Sequence, residues 1–303
     1  MVENLIKKLN SNSYITLETT PSHSATFDPI IEKIEKLELD RLVDGFSTTD
    51  SPLSKMKYSA LFAALKLQQK FGKAVIATMS MRDRNKIALQ SSLLGANDVG
   101  IRSILALTGD PIKLSDQPDV KGVFEANSNL LLDIINKFNR GSDFAGKEFR
   151  EKPKRIFPFS VMNSYAKNED RLYKKMLEKV THKTTAIITQ PIYSKKNAKN
   201  LQNMMDRANS ETNRETKLIL GIFPITKYRT AKFLVEKLPG VYVPDIWVEK
   251  LEKASRIGIE EEYKVGYEMS LETLKEIYEI NPRVHIMTAN NFSLAKELIK
   301  EIR

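Results

Sequence analysis

Eight residues able to do chemistry close short apolar runs along the chain: Glu18, Thr49, Thr78, Asp110, Gln190, Tyr193, Tyr228 and Thr288. Two are carboxylic acids, and acids in different surroundings can divide their work, one handling a proton while the other recognises a ligand. Hydroxyls, an amide and two phenols complete the set. Any one of them alone also makes an ordinary helix cap or turn residue. Their collective meaning lies in position, since each apolar run passes through a polar loop into a helical pattern.

The clearest unit runs from Ala74 to Pro111. AVIATM reads as a strand, Arg84 to Leu94 as an amphipathic helix and SILAL as a second strand ending in Thr108-Gly109-Asp110-Pro111. The polar groups at Thr78 to Arg84 and Thr108 to Asp110 follow the strands, where an α/β barrel or a doubly wound sheet keeps its chemistry. The cadence recurs on both sides. SYITLE ends in Glu18, and its helix carries Ile30, Ile31, Ile34 and Leu37 behind the capping candidate Asp28. RLVDGFSTTD ends in Thr48, Thr49 and Asp50, ahead of a helical segment expected from Leu53 to Phe71. A further helix is expected from Ala126 to Asn139, and RIFPFSV, TAIITQ, KLILGIF and PRVHIMT supply the remaining strands.

Strands centred on Ile15, Val43, Ile76, Leu105, Phe157, Ile187, Leu220 and His285 make eight βα units. That number predicts a closed (β/α)8 barrel, α/β in class, over residues 1–303 as one domain. Residues 2–9 read as a short helix under the barrel, and 140–154 as the most linker-like stretch. Extra helices between Pro244 and Ile280 read as an excursion on the rim.

Composition narrows the options. With 41% hydrophobic and 28% charged residues the chain can build a large core. The absence of cysteine excludes disulfides, thiolate zinc sites and cysteine-ligated clusters within this polypeptide. His182 and His285 stand alone, so no metal site is expected. No apolar run approaches membrane-spanning length and MVENLIKKLN is no signal sequence, which points to the cytoplasm and to no membrane partner. The net charge of +10 comes from basic residues interleaved with acidic ones, as on solvated helix faces. A nucleic-acid surface is therefore not expected, whereas an anionic small molecule would be welcome.

The motifs RDRN, ALQSSLLGA and ALTGDP, in this order between Arg82 and Pro111, closely resemble the methylenetetrahydrofolate reductase family. LETTP, IITQPIY and GIFPITKY extend the resemblance, which runs from Glu18 to Leu298. It implies a TIM barrel binding FAD, which reduces 5,10-methylenetetrahydrofolate to 5-methyltetrahydrofolate. Electrons would come from NAD(P)H or a redox partner protein, and a homo-oligomer is compatible with it. By the same resemblance Glu18 is the general acid that protonates N10 as the five-membered ring opens. A carboxylic acid can do this near neutral pH only where desolvation favours its protonated form, so an apolar, water-poor pocket is expected around it.

The resemblance also has Gln190 hydrogen-bond the pterin, Tyr193 and Tyr228 form aromatic walls, and Asp110 contact both folate and flavin region. The flavin contacts it implies are Thr49, Thr78, Thr108, Gly109, Asp110, Ala126 and Lys179, with Thr78 standing where some relatives carry a histidine. Arg82 and Arg84 are candidates for additional phosphate contacts. No GxGxxG is present, so nothing here is a Rossmann fingerprint. Two rival readings are a pterin-dependent methyltransferase and a non-catalytic barrel subunit serving as a partner surface.

Overall fold

The computed structural model describes residues 1–303 except Asn12, Leu238, Pro239 and the side chain of Lys237. In chain order the elements are α1 (Val2–Leu9), β1 (Tyr14–Thr19), α2 (Asp28–Lys36), α3 (Leu39–Leu42), β2 (Gly45–Thr48), α4 (Ala60–Phe71), β3 (Val75–Ser80), α5 (Lys86–Asp98), β4 (Ser103–Leu107) and α6 (Ser128–Phe138). There follow β5 (Phe157–Met162), α7 (Glu169–Thr181), β6 (Ala186–Pro191), α8 (Lys195–Thr212), β7 (Lys217–Ile222), α9 (Tyr228–Lys237), α10 (Asp245–Ile257), α11 (Ile259–Ile280), β8 (Arg283–Ile286) and α12 (Phe292–Lys300). All strand pairs are parallel and β8 returns to β1, so the sheet closes into the expected (β/α)8 barrel.

Two layers of core hold it. Outward-facing residues such as Leu17, Phe46, Ala77 and Ile104 pack under the helices. The inner face is apolar in its lower half, where Tyr14, Ile76, Leu105, Phe157, Phe159, Ile188 and Ile219 fill the barrel. Helix α1 seals that end with Val2, Leu5 and Leu9, all buried, each stabilising the plug by about 1.5–3 kcal/mol. Gly45 makes the seal possible, because a Cβ there would lie 2.8 Å from both Ala74 O and Leu5 Cδ1.

The rim excursion comprises α10 and α11 together with α9, and has its own small core of Ile225, Leu234, Val243, Trp247 and Leu251. It is locked to the loop after β7. The Ser270 hydroxyl accepts from Ile225 N at 3.0 Å and the Glu262 carboxylate from Tyr228 N at 2.8 Å.

Three local expectations need correction. The helix expected from Leu53 begins at Ala60, because Ser51, Leu53 and Ser54 adopt left-handed backbone angles in a turn. Asp28 is the first residue of α2 and caps nothing; its carboxylate accepts from Thr26 and Lys66. The linker-like 140–154 stretch packs onto the barrel wall, with Phe149 edge-on to Phe138 at 4.8 Å. Among the described residues no helix is long and apolar enough to cross a membrane.

Candidate functional site at the barrel mouth

Above the apolar floor the barrel interior turns polar. Strand alternation puts Thr16 and Glu18 of β1, Ser47 of β2, Thr78 of β3 and His285 of β8 on the inner face, at the carboxyl ends of their strands. Of these, Glu18, Thr78 and His285 line a hollow of about 190 Å³ that also takes in Thr49, Asp50, Asp110 and Gln190. Glu18 of β1, Asp110 of the loop after β4 and Gln190 of β6 thus come to one cavity. Gln190 reaches it through a register shift between Ile188 and Pro191, where the Thr189 hydroxyl takes Gly221 N–H at 2.9 Å in place of a ladder bond.

A second hollow of about 340 Å³ adjoins the first, and Leu107, Asp110, Val161 and Gln190 line both. Its far side is the start of α6, with Asn127, Ser128 and Asn129, facing Lys175, Glu178 and Lys179 of α7. The Lys179 ammonium lies 3.4 Å from the Ser128 hydroxyl, and burial holds its pKa below the usual lysine range. A buried cation beside helical amide groups is a natural seat for phosphate. Thr108 braces this end, its hydroxyl accepting from Ser128 N at 3.2 Å.

Asp110 is held by the turn that follows β2. Its carboxylate accepts from Leu53 N at 2.6 Å, and the Ser54 hydroxyl donates to the carbonyls of Asp110 and Pro111. Both contacts depend on the left-handed turn after β2, and Arg82 secures that turn. Arg82 is 2% exposed, donates to Ser51 O and Ser54 Oγ, and is paired with Asp83, which raises its pKa. Gly109 completes the packing at φ +97°, where a Cβ would meet the Arg82 Cβ at 2.8 Å.

The residues singled out from the sequence divide accordingly. Glu18, Thr49, Thr78, Asp110 and Gln190 line the mouth, and Thr108, Gly109 and Lys179 join Asp110 and Gln190 around the second hollow. Ala126 lies outside both and does not open α6, because Asn127 is its N-cap, with Oδ1 accepting from Asn129 N. Tyr193 lies in the rim core, its ring edge-on to Trp247 and its hydroxyl donating to Phe223 O at 2.8 Å. Tyr228 packs against the same core; neither ring lines the mouth. Thr288 is buried with an unpartnered hydroxyl outside the lining. Arg82 and Arg84 line neither hollow; Arg82 donates to the turn at Ser51 and Arg84 to Asp50 at 2.7 Å.

The apolar pocket expected around Glu18 is half realised. Leu105, Leu107, Val161, Ile188 and Met287 line it together with the polar Thr49, Thr78, Asp50 and His285, and the Glu18 side chain stays 23% exposed. His285 is a lining residue of the mouth that sequence reasoning did not place there. A polar residue at the centre of the apolar run RVHIM was the available signal. Among the described residues no cluster of three metal-ligating side chains occurs. A larger hollow of about 750 Å³, with Arg140, Arg155, Lys183 and Arg214 in its wall, opens where strands β5 and β6 begin, at the end opposite the mouth.

The residues present fit a flavin dinucleotide. Among the described residues the buried Thr49 hydroxyl at the mouth has no hydrogen-bond partner, and Lys175 and Lys179 put two cations on the wall of the adjoining hollow, a chemistry suited to phosphate.

The family model described as methylenetetrahydrofolate reductase matches residues 2–303. A curated relative from Schizosaccharomyces pombe, methylenetetrahydrofolate reductase 2, is 24% identical over 300 residues, covering 94% of this chain and 44% of that protein. The chain therefore spans less than half the length of the curated relative it matches. Among solved structures, an uncharacterized protein from Clostridium thermocellum that binds two copies of 5-methyl-5,6,7,8-tetrahydrofolic acid superposes with TM-score 0.66 at 13% identity, over 99% of this chain and 98% of that one. DmoA from Hyphomicrobium sulfonivorans superposes with TM-score 0.57 at 8% identity, over 95% of this chain and 86% of that one. EDTA monooxygenase (EmoA) from Chelativorans sp. BNC1 gives 0.55 at 9%, over 96% and 92%. At these identities the structural likeness concerns the fold.

Proposed function

The chain belongs to the methylenetetrahydrofolate reductase family, and on that premise we propose that it reduces 5,10-methylenetetrahydrofolate to 5-methyltetrahydrofolate with FAD as its cofactor. The observation that carries the reading is the convergence of Glu18, Asp110 and Gln190 on one hollow of about 190 Å³. FAD, when bound, supplies the hydride that reduces the substrate's methylene carbon. The protein supplies binding, orientation and a proton.

Asp110, with its rotamer set by the Leu53 amide, accepts N–H donors of the pterin, and Gln190 offers both a donor and an acceptor beside it. Glu18 gives its proton to the substrate nitrogen whose bond to the methylene carbon opens, leaving a carboxylate. Leu105, Val161, Ile188 and Met287 exclude water from that side of the mouth. Lys175 and Lys179 hold the cofactor's phosphates, and Thr49 and Thr78 offer hydroxyls nearer the barrel axis. The donor that reduces FAD is NAD(P)H or a redox protein.

Glu18→Gln tests the assignment. Reduction of bound flavin by its donor should persist, while folate reduction should fall by about 10²-fold or more. Undiminished folate reduction would remove Glu18 from the role of acid.

A second reading follows from Asp110 and Gln190 lining both hollows, with the Clostridium thermocellum protein as precedent for two folates. Here the chain holds two reduced folates side by side and no flavin. Titration calorimetry with 5-methyltetrahydrofolate separates the two: one molecule per chain competing with nothing in flavin-loaded protein supports the reductase, and two per chain in colourless protein supports the rival.

A further inference from the structure

We propose that Asn290 is a positioning residue of the site: its side-chain amide closes the seam between β8 and β1 above Glu18 and so holds the strand end that aims this carboxyl group. The proposal rests on the reading of Glu18 as the acid.

The register between β1 and β8 runs from Tyr14 opposite Arg283 to Leu17 opposite Ile286 and stops there. On its other flank β1 stays in register with β2, through Glu18 opposite Ser47 and Thr19 opposite Thr48, and Thr49 N donates to Thr19 O at 3.1 Å just beyond. Past Ile286 the chain leaves β1. Met287 N donates to Ile222 O of β7 at 2.8 Å, and among the described residues no main-chain bond from 287–291 reaches β1. Glu18 therefore stands one residue past the last paired position on that side.

Asn290 supplies the missing pairing. Its Oδ1 accepts from Thr20 N at 2.9 Å, and its Nδ2 donates to Thr20 O at 2.7 Å. A primary amide carries an acceptor and donors side by side, so it meets a backbone N–H and C=O much as a neighbouring strand would. Glu18 is thus bracketed by the Leu17 pairing below it and by this clasp two residues above. The bracket matters because the carboxylate has little else to direct it. Its ionic neighbour, His285 Nε2, is 3.9 Å away, beyond hydrogen-bond distance, so the aim of Glu18 into the mouth rests on the backbone that carries it.

The turn is shaped for this contact. Ala289 at φ +48° and Asn290 at φ +66° are both left-handed, a region that disfavours residues with a Cβ, asparagine less than most. Such backbone persists where the surrounding structure over-determines it. Here Asn291 is the N-cap of α12, and Phe292, Leu294, Ala295 and Leu298 bury that helix, anchoring the turn from behind. A turn serving only to join β8 to α12 needs no bond to β1.

Two substitutions separate the clasp from the backbone strain. Asn290→Gly removes the amide and leaves a residue suited to φ +66°, whereas Asn290→Ala removes the same amide and keeps the strain. Reduction of 5,10-methylenetetrahydrofolate by flavin-reduced protein is followed against folate concentration, with reduction of the flavin by its donor as reference. Both variants should lose about tenfold in limiting rate at a half-saturating folate concentration within about twofold of the parent, with flavin reduction unchanged, because a displaced acid weakens the transition state and not binding. Hydrogen exchange at Thr20 N–H should be about tenfold faster in both and unchanged at Leu17 N–H. Asn290→Ala should melt below Asn290→Gly.

Rates that follow the melting points, and not the missing amide, would show a structural role only and overturn the proposal. So would a Thr20 N–H that exchanges as in the parent, an unchanged limiting rate, or an equal fall in flavin reduction. A parent protein that reduces no folate overturns the reductase reading and this inference with it; an active parent matched by Asn290→Gly overturns the inference alone.

Discussion

Replacing Arg82 by methionine isolates what a buried guanidinium does at this site. Methionine fills the volume of the stem, so the cost lies in polar contacts and not in a cavity. Ser51 O loses its 3.0 Å donor, and an acceptor left unpaired in the interior costs about 1–3 kcal/mol. The bond to Ser54 Oγ at 3.2 Å contributes about 1 kcal/mol. Asp83 is 42% exposed and returns to water, so the ion pair adds little, roughly 0–1 kcal/mol. The expected loss is about 3 kcal/mol. With an unfolding entropy of roughly 2.1 cal/mol/K per residue, a chain of this length should melt about 5 °C lower.

The turn should suffer more than the barrel. Ser51, Leu53 and Ser54 sit at φ 46°, 56° and 57°, and left-handed residues cost about 1–2 kcal/mol each. Without the guanidinium that strain is released, the Leu53 amide moves away from Asp110, and one charge-assisted hydrogen bond that orients the carboxylate is gone. Affinity for 5-methyltetrahydrofolate should then fall roughly tenfold, the equivalent of about 1.4 kcal/mol. Calorimetric melting together with ligand titration reads both effects. A melting point within a degree of the parent and an unchanged Kd would refute the claim that Arg82 sets Asp110 through the turn.

Other perturbations test other parts of the site. Lys179→Met should weaken FAD binding about tenfold or more and flatten its dependence on salt, measured by flavin fluorescence; an unaltered Kd would place the phosphates elsewhere. Because burial lowers the Lys179 pKa, the parent protein should lose flavin affinity on the alkaline side sooner than an ordinary lysine would dictate, and the substituted protein should not show that limb. Gly221→Ala should destabilise by about 3 kcal/mol and displace Gln190, since its Cβ would lie 2.2 Å from Thr189 O; denaturant titration showing parental stability would contradict the crowding seen at the β6–β7 step.

Local chemistry made much of this protein legible from its residues in order. The apolar runs and the polar groups that close them gave eight strands, a closed barrel and the face on which Glu18, Thr49, Thr78, Asp110 and Gln190 meet, because strand alternation and chain direction are short-range properties. Tertiary packing settled what pattern leaves open. It drew Tyr193 into the small core of the rim helices and set Tyr228 against it, since aromatic rings go wherever apolar area is buried best. It turned Arg82 inward onto a turn distant in the chain, a partner that the sequence reading of a phosphate contact did not foresee. It also brought Thr16, Ser47 and Glu18 around His285, from strands up to 269 residues away in the chain. Closure of β8 onto β1 makes that contact, and no local pattern encodes such a distance.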